Sequence, residues 1–286
     1  MANQQRTSQL CPGCRTLVSA QAAKCPHCGM SHPGALWQRI LVISGLRTAD
    51  QCVKALFVLN IGMYVVSLLL NLAATDLSLN PFTALSPSTN SLLLLGATGT
   101  VPIDRFHRWW TLISANYLHG SLLHIIFNLV ALRQILPLVA TEYGISRMVI
   151  LYSLTGICGF WVSYLAKVPL TIGASAALCG MIGAALYYGK SRGGIYGQAI
   201  FRQIGAWALS IFVIGLIIPG INNWAHGGGM VAGALLGWLL GYRDQRPEQP
   251  IHRILANMCL LATLLILAWA VLSSVLYKLS IGNPTL

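Results

Sequence analysis

Acidic side chains are nearly missing from this sequence. Only six of its 286 residues are Asp or Glu, and charged residues of all kinds make up 8% of it, against about a quarter in a soluble domain. The six, Asp50, Asp76, Asp104, Glu142, Asp244 and Glu248, fall in loops or at the ends of apolar runs. That excludes a pair of buried carboxylates for an aspartyl mechanism and argues against a proton-relay transporter with acids at mid-membrane. A His-Glu-x-x-His metal motif is missing too, and so is any sign of the paired repeats of a transporter. No basic, apolar, small-residue cleavage pattern occupies the first thirty positions, so no removable signal peptide is expected.

Apolar surface and positive charge are abundant. The chain is 56% hydrophobic with a net charge of +12. Such a composition is built for a lipid bilayer, and in that setting a basic excess reflects cytoplasmic loops rather than nucleic acid. No nucleic-acid partner is expected.

The first thirty-two residues differ from the rest. They hold Cys11-Pro12-Gly13-Cys14 and Cys25-Pro26-His27-Cys28-Gly29, two C-x2-C knuckles ten residues apart. Four thiolates so spaced, with Gly and Pro for tight turns, suit a tetrahedral structural zinc held by Cys11, Cys14, Cys25 and Cys28. Two disulfides or an iron site of rubredoxin type are the alternatives. The segment resembles a zinc ribbon, and so short a piece needs its metal in order to fold. Reduced thiolates imply a reducing compartment and hence a cytosolic N-terminus. A cytosolic partner for this unit is open. Cys52, Cys158, Cys179 and Cys259 are scattered in apolar runs and read as packing residues.

Seven apolar segments follow, at approximately 52–73, 112–138, 147–166, 174–189, 200–219, 224–241 and 254–277, about the length a bilayer requires. The fourth and sixth are short and rich in Gly and Ala, which predicts burial among the others. With the N-terminus inside, fourteen of the eighteen Lys and Arg fall on the cytosolic side, leaving Arg105, Arg108, Lys167 and Lys278 outside, as the positive-inside rule requires. The same orientation brings Ser175 and His226 to the outer ends of the fourth and sixth segments. The long outer connection, about 74 to 111, carries three prolines, Leu92-Leu93-Leu94-Leu95 and Trp109-Trp110. It is expected to dip into the outer leaflet.

Small residues recur every four positions on the sixth segment: Ala225, Gly229, Gly233, Gly237 and Gly241. Such a stripe lets helix backbones approach closely, and His226 borders it. On the fourth segment Ser175, Cys179 and Gly183 form one row and Ala176, Gly180 and Ala184 the next. If these faces pack, the imidazole reaches the hydroxyl, either as interhelical glue or as base and nucleophile. The second segment reads His119-Gly120-Ser121-Leu122-Leu123-His124-Ile125-Ile126-Phe127-Asn128. His124 and Asn128 share a face of an otherwise apolar helix, where polar groups are costly and point at a site. Their donors, with the Ser175 backbone N–H, are of the kind that stabilises an oxyanion; hydrogen-bonded structural roles are the alternative, more so for His119.

These three motifs, His119 to Asn128, Gly173-Ala174-Ser175, and Asn223-Trp224-Ala225-His226-Gly227-Gly228-Gly229 with Gly233, resemble the rhomboid intramembrane serine proteases in content and order. The resemblance implies an all-α polytopic membrane protein with a six-helix core, to which the zinc ribbon and a C-terminal seventh helix are additions. The expected parts are 1–32 (ribbon), 33–51 (linker), 52–241 (membrane core) and 242–286 (loop and seventh helix). It further implies Ser175 as nucleophile, His226 as general base in a dyad, His124 and Asn128 as oxyanion donors, and Gly173 for close backbone approach. Substrates would be transmembrane segments of other proteins, cut near the outer face, with no catalytic cofactor. A bacterial inner membrane is the expected location. Three positions depart from the family pattern. Ala176 stands where Gly is usual, Cys179 where an aromatic often stacks on the histidine, and Thr111 follows Trp110 where Trp-Arg is usual. An inactive relative that binds transmembrane helices in trafficking or quality control is the alternative.

Overall fold

A computed structural model describes residues 7–11, 16–27, 29, 32–34, 48–76, 80 and 82–282. Near the N-terminus, β1 (Ser8–Leu10) and β2 (Leu17–Ser19) pair antiparallel, with Gln9 opposite Val18. The membrane portion is helical throughout. Its helices are α1 (Ala49–Leu69), α2 (Thr89–Leu94), α3 (Thr100–Phe106), α4 (Thr111–Ser114), α5 (Leu122–Tyr143), α6 (Ile145–Leu165), α7 (Ser175–Arg192), α8 (Gly194–Ile217), α9 (Asn223–Leu240) and α10 (Pro250–Gly282). Five of them, α1, α5, α6, α8 and α10, are long and apolar enough to cross a membrane, which fits a polytopic all-α membrane protein. The expected linker, 33–51, lies outside the described residues except at 33–34 and 48–51.

Local chemistry starts the helices. Thr48 and Gln51 form a reciprocal capping box on α1, satisfying two otherwise orphaned N–H groups. Ser121 caps α5 by accepting the His124 N–H. The expected second segment, 112–138, therefore splits. Residues 111–117 make one short helical turn and a 3-10 turn, and the long helix begins only after Gly120-Ser121.

The two Gly- and Ala-rich helices, α7 and α9, are not among the five, because their small and polar residues lower their mean hydropathy. Along α7 nearly every residue from Ala176 to Ala185 is buried. Along α9 only one stripe is: Ala225, His226, Gly229, Gly233 and Gly237. A Cβ added at Gly229 would strike the Ala176 carbonyl, one at Gly233 the Gly180 carbonyl, and one at Gly183 the Met230 carbonyl. On the other flank, a Cβ at Gly159 of α6 would lie 2.6 Å from the Ala225 oxygen. Three backbones thus meet in direct contact, as small residues permit.

The segment between α1 and α5 is anchored at the Ser175 end of the bundle. Thr98 and Thr171 exchange backbone hydrogen bonds of 3.1 and 2.7 Å, and the Gly173 N–H donates to Ala115 O at 2.9 Å. Gly99 sits at φ +136, where a side chain would press on the Pro169 carbonyl. The opposite end is closed by polar groups. Arg147, fully buried, donates to the carbonyls of Arg246 and Pro247 and to His252 Nδ1, which ties the α9–α10 connection to α6. There Tyr143, Tyr188 and Tyr242 stack edge to face.

Candidate active site

Ser175 is the first residue of α7, reached through Thr171, Ile172, Gly173 and Ala174. The Thr98 and Ala115 backbone contacts hold this approach extended, and Gly173 takes φ +124, a conformation L side chains avoid. Gly173 also has no room for one, since its Cβ would lie 2.8 Å from His124 Nε2. Four residues later on the α7 face, Cys179 is buried.

His226 is in the first turn of α9. Its Nε2 lies 2.8 Å from the Ser175 Oγ. The ring is buried, and its Nδ1 makes no hydrogen bond. None of the six carboxylates approaches it. Asp104 accepts from Tyr164 OH at 2.8 Å, Asp76 bridges backbone to backbone with Ser86, Asp50 pairs with Lys54, and Glu142, Asp244 and Glu248 cluster with residues of the opposite end.

His124 is held by its own turn. The Gly120 N–H donates to its Nδ1 at 3.3 Å. A nitrogen that accepts carries no proton, so the neutral ring is protonated at Nε2. That Nε2–H is the atom lying against Gly173, beside Ser175. Asn128, one turn on, donates from Nδ2 to the His124 carbonyl at 2.9 Å, while its Oδ1 is buried without a hydrogen bond. Ser175, His226, His124 and Gly173 therefore converge. Asn128 lies one turn further along α5, with one amide N–H spent on its own helix. His119 packs edge-on against His124, ring centroids 5.0 Å apart. Both of its ring nitrogens are buried without a hydrogen bond, so it serves as a packing partner.

Three contributors are not evident in the sequence. The Asn222 side chain caps α9, accepting the Ala225 N–H at 3.1 Å. Its Nδ2 also donates to Ser163 Oγ at 2.6 Å and to Thr171 Oγ1 at 3.0 Å. Nothing in spacing distinguishes these three from ordinary loop polar residues. A pattern-level trace exists only for Asn222, an N-cap residue type just before an apolar run. The Trp-Thr departure has an answer as well. Thr111 donates to the Arg108 carbonyl at 2.6 Å, its Oγ1 lies in hydrogen-bond contact with Thr98 Oγ1 at 3.0 Å, and the Arg108 guanidinium donates to Leu93 O at 3.2 Å. The loop is held by these bonds and by Trp109 against Trp161 and Tyr164.

Of the expected zinc ligands, Cys14 and Cys28 lie outside the described residues. Cys11 and Cys25 are buried together with Val18 in one small cluster beside the β1–β2 hairpin. Gly29 closes the second knuckle at φ +72, donating to Cys25 O. Among the described residues no group of three or more His, Cys, Asp or Glu is placed to hold a metal.

Residues 107–243 match the Rhomboid domain family, a span containing every candidate residue of the serine site. The chain is 30% identical over 179 residues to RHOMBOID-like protein 4 of Arabidopsis thaliana, covering 59% of this chain and 45% of that protein. It is 31% identical over 160 residues to Rhomboid protease GluP of Bacillus subtilis, covering 54% and 31%. Over 180 residues it is 30% identical to Inactive RHOMBOID-like protein 8 of Arabidopsis thaliana, covering 61% and 50%. The chain thus spans half or less of the length of these relatives. Together the matches support the rhomboid family for the membrane portion.

Proposed function

We propose that this rhomboid-domain chain is a serine-type endopeptidase that cuts transmembrane segments of other membrane proteins within the bilayer. The observation that carries this reading is the 2.8 Å contact between Ser175 Oγ and His226 Nε2 at one end of an apolar helical bundle. As Ser175 Oγ bonds to the scissile carbonyl carbon, its proton passes to His226 Nε2, and the carbonyl oxygen takes the negative charge. His124 Nε2–H, the free amide N–H of Asn128 and the Ser175 backbone N–H stabilise that oxyanion, while Gly173 lets the substrate backbone approach. On collapse the peptide C–N bond breaks and His226 returns the proton to the leaving amine. Water then hydrolyses the acyl ester with His226 as base again, freeing the carboxylic product and Ser175. No carboxylate orients the imidazole, so the site is a dyad. A substrate helix must unwind locally before its peptide bond is attacked, which favours Gly, Pro or polar residues near the cut.

The Ser175 end faces outward and the N-terminus is cytosolic, in our reading, because Arg147, Lys190, Arg192, Arg243, Arg246 and Arg253 gather at the opposite end. The relatives named are mostly plant proteins, so the expected bacterial inner membrane gains no support from them. At the N-terminus the paired burial of Cys11 and Cys25 fits a structural zinc completed by Cys14 and Cys28. The metal would cross-link the hairpin and take no part in proteolysis. Protein purified under reducing conditions should carry one zinc per chain, and metal analysis finding none would overturn this assignment.

Purified wild type incubated with a labile transmembrane substrate should cleave it and react with a fluorophosphonate at Ser175. Ser175→Ala should lower cleavage at least about 10³-fold, and His226→Ala should slow the labelling. Cleavage that survives Ser175→Ala sinks the nucleophile, and equal labelling of wild type and His226→Ala sinks the base. The second reading rests on the 30% identity to a relative named inactive; substrate binding by wild type with no cleavage would establish it.

A further inference from the structure

We propose that Asn222 is the positioning residue that sets the Ser175–His226 contact, an inference that rests on the dyad reading above. Three backbones touch from Ala176 inward along the bundle, but Ser175 and His226 lie at the rim of that contact. There, side chains must fix how α9 is turned relative to the segment that delivers the nucleophile. Asn222 is built for that task. Its carbonyl accepts the His226 N–H at 3.1 Å, and its Oδ1 caps the same helix through the Ala225 N–H. Its Nδ2 donates to Thr171 Oγ1, four residues before Ser175, and to the buried Ser163 Oγ on the last turn of α6.

A helix cap requires an acceptor only, and Ser, Thr or Asp supply one as well as Asn does. What the cap alone leaves unexplained is the pair of donations. A primary amide is the group that presents one acceptor and two N–H donors in a single plane, and here all three are used on three different segments. Thr171 is in turn locked by its backbone exchange with Thr98. The start of the base's helix, the strand-like approach to the nucleophile and the end of α6 thus meet at one side chain.

The cap and the bridge can be separated experimentally. Asn222→Ser keeps a good cap but is too short to reach Ser163 and Thr171. Thr171→Val removes the acceptor while keeping the shape and the backbone pairing with Thr98, and Ser163→Ala removes the other. With the full chain in liposomes, the rate and final extent of fluorophosphonate labelling at Ser175 are measured, together with kcat and KM on a transmembrane substrate. Asn222→Ser should slow labelling and lower kcat about 10- to 100-fold, at unchanged KM and unchanged final extent. Thr171→Val should reproduce most of that loss and Ser163→Ala only a few-fold part of it. The Asn222→Ser/Thr171→Val double variant should be no slower than the slower single one, because both remove one link. Rates within about twofold of wild type overturn the inference. So does a reduced final extent at an unchanged rate, which is what a partly misfolded population gives. A wild type that neither labels nor cleaves overturns the dyad and the inference with it, whereas an active wild type with unaffected variants overturns the inference alone.

Discussion

The contact of α7 with α9 and the far half of α8 are built on opposite terms. Between α7 and α9, glycines put backbone against backbone, and the space for one added methyl at Gly229 or Gly233 is already filled by a carbonyl. Along α8 the buried residues are Gly197, Ile200 and Ile204, all in its first half. There Gly197 and Gly189 cross closely, a Cβ on either lying under 3 Å from the other's carbonyl oxygen. Beyond Ile204 no residue of α8 is fully buried: Trp207, Ala208 and Ile211 pack half-buried against the core, and the Asn223 side chain meets the backbone at Phe212 O and against Gly215. The first arrangement sets positions to tenths of an ångström because a packed interior resists small changes of volume. The second leaves the helix in contact with lipid. The candidate site draws Ser175 and His226 from the two helices held in the first way, as a 2.8 Å contact between side chains on separate helices requires.

The sharpest way to break this contrast is one substitution made twice on one helix. Gly233→Ala drives a methyl into the Gly180 carbonyl. Overpacking of that kind costs about 3 kcal/mol, against which the helix gains about 1 kcal/mol from losing a glycine. The expected net loss is about 2 kcal/mol, read as a lower midpoint of thermal unfolding in detergent, with slower labelling of Ser175. At Gly227, exposed and with nothing within 4 Å of an added Cβ, the same change should raise the midpoint slightly. Equal effects at the two positions would show that the carbonyl contacts do not hold the helices.

Much of this was legible in the sequence, for a physical reason. Polar groups are costly in an apolar helix, so His124 and Asn128 are conspicuous by residue type. Ser175, ordinary among small residues, is marked instead by the partner His226 on a segment whose four-residue glycine period announces a backbone contact. The structure brings Ser175, His226 and His124 together with Gly173. What stayed hidden depends on tertiary closure. Asn222, Ser163 and Thr171 are ordinary polar residues until three segments meet around them. Element ends were blurred for a different reason. The apolar run from Leu112 to Leu118 continues the composition of α5, so the break at Gly120-Ser121 is carried by a cap and not by hydropathy. Likewise α10 begins at Pro250, a residue suited to a first helical turn, four residues before the apolar run expected from 254. Half of the expected zinc ligand set falls outside the described residues, and the other half, Cys11 and Cys25, is buried in one cluster with Val18.

The smallest expected effect tests the loose side of the comparison. Leu209 and Leu216 are 64% and 69% exposed on the far half of α8, so truncating them opens no cavity and breaks no packed contact. Leu209→Ala and Leu216→Ala should each change stability by less than about 0.5 kcal/mol, far below the two to five kcal/mol typical of a Leu→Ala change in a core. The double variant should unfold within experimental error of the sum. A loss of core size at either position would mean that Leu209 or Leu216 shares the packing that Trp207, Ala208 and Ile211 make against the core. In that case the helix would belong with α7 and α9 as part of the rigid frame around Ser175.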